Sequence, residues 1–421
     1  MVPGPLSRSP AGGALKRALL IAAAVVFLAA AAFCIVPLPL AGEALVADSG
    51  MKRGEGELRA GAGRARIPLP EHPVLAGYAG QRRSREKADE VYARAIVIEQ
   101  GRVRAVIAAI DTLLIPEGLE SEIRARAEIP FCALIAATHT HTGPGGLWPS
   151  TIAGWIGAGA FDLAQRDAVV LATANAIAEA TAGAGPAQLR VGRELWAKGP
   201  ARSRSGAAID SELVALRLET PHGGAIATLV NYAMHPTIAP RDRLSADWPG
   251  AAARQIEKAS SGAPALVLQG AVGNTTWDGA SDPGTRIATE AEWLLEQTAP
   301  LRGASVECGV KKVSLPPWQA SPAVPWPFRR AVANVFALML ERKAPSGAQT
   351  RLAIGPLTLL GVPGEPVGEL ALRARPVKLV GLADGYLGYV ETPERWAAGA
   401  GESGKTYFGP DLARALGLWP Q

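Results

Sequence analysis

The chain has 421 residues, 48% of them apolar, and a formal net charge of +5. That length suits one large domain or two ordinary ones, with a sizeable core. The charge is mild for the length and does not point to nucleic acid as a partner; no RRM, zinc-finger or helix-turn-helix signature accompanies it.

Residues 1–17 are rich in Pro, Gly and Ser and read as a disordered cytoplasmic tail. Residues 18–36, ALLIAAAVVFLAAAAFCIV, contain no charge and have about the length that crosses a bilayer as a helix. Arg8, Lys16 and Arg17 precede this run, so a transmembrane anchor would leave the rest of the chain on the outer side. The competing reading is a signal sequence cleaved near Gly42-Glu43-Ala44. Either way the protein is expected to be exported, periplasmic or extracellular. Residues 37–56 read as a linker and 57–421 as a single catalytic domain.

Within that domain strand-like and helix-like runs alternate. Residues 93–99 and 103–111 are apolar runs separated by Gln100-Gly101-Arg102, a hairpin signal. Helical spacing is expected over 118–126 and 162–182, and strands over 131–138, 188–191, 212–218 and 225–233. Asp247 before Trp248-Pro249-Gly250 marks a helix start, with strand 264–268 beyond it. Helices over 285–297, 328–342 and 366–375 and a strand over 352–362 complete the pattern. Hairpins and crossovers both occur, so the expected class is α/β with mixed sheets flanked by helices.

The richest stretch is 131–146, FCALIAATHTHTGPGG. It opens as a buried strand and ends in a Gly-Pro-Gly-Gly turn. Residues two apart on a strand project from the same side, which would put His139 and His141 on one face at the strand's end. Only five histidines exist; His72 and His222 read as turn or surface residues, whereas His235 follows the strand ending NYAM. The three cysteines form no CxxC motif or framework, and Cys132 and Cys308 read as isolated buried thiols rather than as a bridge. The basic run Arg82-Arg83-Ser84-Arg85-Glu86-Lys87 reads as a solvated loop, with anionic headgroups as the alternative contact.

The series ATHTHTGPGG, NYAMHPT, SADWPG, LQGAVGN and GVPGEP, in that order, resembles the neutral/alkaline (non-lysosomal) ceramidase family. AGAGRARIPLP, LAGYAG and YARAIVI near the start and GYVETPERW through TYFGP near the end extend the likeness over most of residues 58–415. The resemblance implies a zinc-dependent amidase that cleaves the N-acyl bond of ceramide or a related N-acyl lipid. It implies zinc ligands His139, His235, Glu365 and Tyr389, an unligated acid–base partner His141, and an arginine of ARSRSG, Arg202, holding the amide oxygen. Two neutral imidazoles and a carboxylate are a usual catalytic zinc set, and zinc supplies hydroxide near neutral pH. Asp247 would be a helix cap or would orient a metal histidine.

The chain also departs from the family pattern. Thr276 stands at the family's active-site serine, Asn274 at an aspartate, and Gly401 at a tyrosine. The family's carboxy-terminal β-sandwich domain is not expected after residue 421. These departures leave the metal set intact and open two alternatives, a zinc hydrolase of a different N-acyl amide and a catalytically silent binding domain.

Overall fold

The computed structural model describes residues 10–38, 50–116, 118–129, 132–280, 282–339 and 347–420. Three sheets are built by the same rule, an antiparallel meander finished by one parallel strand.

In the first sheet β1 (Leu58–Arg66), β2 (Tyr92–Gln100) and β3 (Val103–Ile110) run antiparallel, and β4 (Ala133–Ala137) lies parallel to β3. The expected hairpin joins β2 to β3, with Gly101 taking the positive φ of the turn. β4 reaches β3 only through the helix α2 (Leu119–Arg126), since a parallel neighbour needs a crossover.

The second sheet holds β5 (Gln188–Leu195), β7 (Glu212–Glu219) and β8 (Ala225–Tyr232) antiparallel, then β9 (Ala265–Gln269) parallel to β8. β6 (Ala201–Ser203) and β10 (Thr275–Trp277) form a separate antiparallel pair. The third sheet holds β11 (Val306–Val313), β12 (Gly347–Ile354) and β13 (Leu357–Val362) antiparallel, then β15 (Lys378–Gly381) parallel to β13. Between them β14 (Glu365–Pro366) pairs in parallel with β16 (Tyr389–Val390). The single strand expected over 352–362 is two strands, because Gly355, with φ 55°, turns the chain back.

Helices cover the outer faces. α3 (Leu163–Ala182) lies on β1, where Gly61 and Gly63 admit its backbone; a Cβ at either would collide with the carbonyls of Ala180 and Ala176. α4 (Asp247–Ala259) leads from β8 back to β9 and packs on α5 (Pro283–Glu296). Apolar side chains of the first and third sheets, among them Ile96, Leu134, Leu352 and Leu359, share one buried core with Leu216 and Leu229 of the second. A disulfide joins Cys132, just before β4, to Cys308 in β11, so the two cysteines read as separate thiols are covalently linked across two sheets.

The first described helix, α1 (Pro10–Ile35), docks on α6 (Arg329–Met339). Asn334 of α6 donates to the carbonyls of Phe33 (2.7 Å) and Val36 (2.8 Å) and accepts from Leu38 N (3.0 Å), which closes the helix end. Among the described residues no helix is long and apolar enough to cross a membrane, and the transmembrane anchor expected over 18–36 is not supported on that ground. The side chains of residues 10–17 of the expected tail and of residues 18 and 20 of the expected span lie outside the described ones, as does most of the linker.

Candidate metal centre

The three parallel strand pairs end at one place. Beyond β4 comes His139, beyond β8 His235, and beyond β13 Glu365, while the partner strands β3, β9 and β15 lead into Leu113, Val272 and Tyr389. A site outside the carboxyl ends of parallel strands is where open α/β sheets place their ligands.

His139 and His141 meet by a different route from the one expected. The strand stops at Ala137, and His139 takes a left-handed backbone conformation, φ 67°, so no strand face carries the two rings. Such a conformation costs about 1–3 kcal/mol in a residue with a side chain. It is held by amide bonds from Thr138 to Ile110 O and from His139 to Thr112 O, both at the end of β3. The Nε2 atoms of His139 and His141 then lie 3.4 Å apart.

Three imidazoles converge. His139 Nε2 is 3.2 Å from His235 Nε2, and the ligand atoms of His139, His141 and His235 all lie within 4.8 Å of one another. Each ring is fixed from behind by a backbone carbonyl: Nδ1 of His139 on Leu113 O (2.7 Å), of His141 on Gly77 O (2.8 Å), of His235 on Val272 O (3.0 Å). A carbonyl only accepts, so each Nδ1 carries a proton and the three Nε2 atoms are turned to the centre, where a neutral ring offers a lone pair. Burial and the neighbouring imidazoles hold His141 well below its ordinary value, and burial lowers His235 to about 4.

Glu365 completes the group. Its Oε1 accepts from Tyr386 OH at 2.9 Å, and its Oε2 lies 3.3 Å from His139 Nε2 and 3.4 Å from His235 Nε2. That Oε2 is buried and receives no hydrogen bond. Burial alone would raise this carboxyl; when the facing His139 and His235 carry a proton on Nε2, they hold it well below the usual carboxylate range. Tyr389, the register partner of Glu365 across β14 and β16, brings its hydroxyl to 3.4 Å from His235 Nε2. Burial first, and then Glu365, push the Tyr389 and Tyr386 hydroxyls well above the ordinary tyrosine range.

Nitrogen and oxygen lone pairs brought this close in a buried pocket call for a shared proton or for a cation between them. Three imidazole nitrogens, a carboxylate oxygen and a phenol oxygen form a borderline N/O donor set that suits a divalent transition ion.

The other expected residues lie differently. Arg202 and Thr276 face each other as register partners of β6 and β10, and among the described contacts neither touches the cluster. Arg204, two residues further on, leaves the strand and turns inward: its guanidinium stands 6.0 Å from the Tyr389 ring centroid and donates to Glu402 (2.9 Å) and to Gly273 O. Asn274 is a structural pin, donating to Ala208 O (3.0 Å) and accepting from Gly368 N (2.9 Å). Asp247 is the first residue of its helix rather than the cap. Its carboxylate accepts from Ile238 N (2.9 Å) and Ala239 N (2.7 Å) and so clamps the loop that follows His235. Gly401 takes φ 62°, which strains any residue with a side chain, and a Cβ there would meet the ends of Glu391 and Arg395, which would have to shift. Tyr386, Arg204 and Tyr78, whose ring stands edge-on to His141 at 5.4 Å, were not singled out from sequence as site residues. Both tyrosines lie inside the motif stretches GYVETPERW or LAGYAG or just before them, which was the available signal.

A small apolar pocket of about 10 Å³ lies at Leu113, whose carbonyl holds His139, and is lined by Ala76, Leu113, Pro144, Leu147, Trp148 and Ala158.

Mixed sheets flanked by helices, with a three-histidine group at their strand ends able to hold a metal ion, are the class that fold and site define. The profile of the family described as "Neutral/alkaline non-lysosomal ceramidase, N-terminal" matches residues 60–274, just over half of the chain, and the chain belongs to that family. Among solved structures, a neutral ceramidase from Pseudomonas aeruginosa superposes with a TM-score of 0.74 at 22% identity, covering 86% of this chain and 73% of that one. A ceramidase complexed with C2 gives a TM-score of 0.72 at 21% identity, with the same coverage of 86% and 73%. At such identities these two likenesses speak for the fold. No curated protein sequence matches the chain.

Proposed function

We propose that this protein is a zinc-dependent amidase that cleaves the N-acyl bond of ceramide or a related N-acyl lipid. The observation that carries the reading is the meeting of the His139 and His235 Nε2 atoms, 3.2 Å apart, at the Glu365 Oε2 3.3 and 3.4 Å away, which receives no hydrogen bond, with His141 beside them. His139, His235, Glu365 and Tyr389 would hold the ion. When bound, zinc supplies Lewis acidity, polarising a carbonyl and making water a nucleophile at neutral pH.

The chain's own residues supply the rest. His141 is the one ring of the three that is not fully buried, so its Nε2 can face a substrate and hold or hand on a proton there. Arg204 stands over Tyr389 and can donate to an oxygen that becomes negative as the carbonyl carbon turns tetrahedral. Arg204 replaces Arg202 in that role. The Gly143-Pro144-Gly145 backbone carries little side-chain bulk, so a substrate can approach it closely. Export is supported by the Cys132–Cys308 disulfide, a bond that persists in oxidising compartments.

The test is metal content by elemental analysis together with turnover of ceramide by the full chain. One zinc per chain and hydrolysis, both lost in His139→Ala and His235→Ala, is the expected result. Absence of bound metal after incubation with zinc would overturn the reading.

A further inference from the structure

The His141 side of the cluster carries positive charge that no residue balances. Arg82 and Arg241 both lie over the ring of Tyr78, with guanidinium carbons 4.9 and 4.3 Å from its centroid, and that ring touches His141. Both are held in place. Arg82 donates to Ala76 O (2.9 Å) and to the carbonyl of Arg241, and its strand Arg82–Arg83 pairs with Val74–Leu75. Arg241 ends the loop that Asp247 clamps behind His235. Among the described residues no carboxylate forms an ion pair with either; Asp242 faces Arg85 instead, at 3.6 Å. The Arg82 Nε is buried and without a hydrogen-bond partner.

Two guanidinium groups gathered on one aromatic ring repel each other. The strain registers at Arg82, whose guanidinium is pushed down by burial and by Arg241. The opposite flank is arranged otherwise: Arg204 and Lys405 also lie over one ring, Tyr389, but Glu402 bridges them at 2.9 and 2.8 Å. A cationic pair left open next to the reacting groups suits an anion that arrives with the substrate, since guanidinium forks match carboxylate and phosphate geometry.

We propose that Arg82 and Arg241 form a subsite for an anionic group, carboxylate or phosphate, carried by the amide substrate on the His141 side of the cluster. The inference rests on the amidase reading and sharpens its substrate class: an N-acyl lipid bearing a negative charge near the scissile bond rather than a neutral ceramide. Tyr78 is the platform that keeps the two forks together beside His141.

The experiment compares three amides of one acyl chain length: a neutral ceramide, an N-acylglycine carrying a carboxylate, and a ceramide 1-phosphate. Turnover is measured with the zinc-loaded full chain and with Arg241→Gln, an exposed position whose replacement leaves the core untouched. We expect one of the anionic amides to exceed the neutral one at least ~10-fold in kcat/KM, and Arg241→Gln to bring that ratio near one, mainly through KM. Which anionic amide leads tells carboxylate from phosphate. A neutral ceramide cleaved as well as both anionic amides, or a ratio that Arg241→Gln does not move, overturns the inference while leaving the amidase reading intact. If no amide is cleaved the amidase reading fails, and calorimetric binding of N-acylglycine and of ceramide 1-phosphate then decides the subsite. Binding of one of them weakened ~10-fold by Arg241→Gln supports it; no binding, or equal binding to both proteins, removes it.

Discussion

Replacing Glu365 by glutamine should move stability in opposite directions with and without metal. Without a metal, and at pH 9 where free imidazoles hold no proton, the Glu365 carboxylate is a buried charge whose Oε2 faces two bare nitrogens at 3.3 and 3.4 Å. Glutamine keeps the Oε1 that accepts from Tyr386 at 2.9 Å and sets an N–H where Oε2 was. A repulsive contact becomes a donated hydrogen bond, worth about 0.5–1.5 kcal/mol net, and a buried unpaired charge disappears, which removes a penalty of about 1–3 kcal/mol more. The metal-free variant should therefore unfold higher than the metal-free parent, by on the order of 2–5 °C. With zinc the order reverses. An ion that binds only the folded parent, at a hundredfold excess over its dissociation constant, adds about 2.7 kcal/mol, and the variant, having lost its anionic ligand, gains little. Differential scanning fluorimetry on chelator-treated and zinc-loaded samples reads both effects. A metal-free variant less stable than its parent, or a zinc shift equal in the two, would refute the placing of Glu365 as a ligand waiting for a cation.

Other expectations follow from single contacts. Asp247→Asn keeps the left-handed backbone, φ 53°, that asparagine tolerates, but removes the charge from the bonds to Ile238 and Ala239; we expect a loss of about 1–3 kcal/mol and zinc affinity lowered ~10-fold, read by denaturant midpoint and by competition with a chromogenic chelator. Reducing the Cys132–Cys308 bridge, which closes a loop across a sequence separation of 176, should cost about 5 kcal/mol on chain-entropy grounds, and urea curves with and without reductant measure it. Gly401→Ala should cost more than ~1 kcal/mol, because φ is 62° and the methyl meets Glu391. Gly404→Ala, with open space around it, is the control and should be close to neutral; equal melting temperatures for the two would show that the pocket at 401 is not full.

The parts of the site that could be read in the chain are those where composition changes abruptly. Histidine is scarce here, and His139, His141 and His235 each follow an apolar run that stops, a pattern visible without coordinates. The way they meet was not visible. A left-handed residue at His139 leaves no mark in hydrophobic alternation, which describes strands and not their exits. For the same reason Arg202 looked as suitable as Arg204: inside ARSRSG only the end of β6 at Ser203 decides which side chain turns inward. The 352–362 run reads as one strand because Leu352, Ile354, Leu357 and Leu359 are all buried, and only Gly355 betrays the reversal. The disulfide depends on two sheets lying side by side, which neither cysteine's neighbours encode.

The common plan of the three sheets explains why one centre draws ligands from positions so far apart. Each sheet ends in a parallel pair, and a parallel pair delivers two chain exits to the same end of the sheet. In the first two pairs one exit carries the histidine and the other supplies the carbonyl that fixes its tautomer: β4 gives His139 and β3 gives Leu113, β8 gives His235 and β9 gives Val272. In the third pair both exits carry oxygen atoms that face the histidines, Glu365 after β13 and Tyr389 after β15, held in register by the short ladder β14–β16. Ligand and support thus come from neighbouring strands of one sheet. Changes at the rim, such as Gly401 or the open Arg82–Arg241 pair, can alter what approaches the centre without moving any strand that builds it. What approaches the centre can therefore change at the rim while the strand ends that bring the three histidines together stay in place.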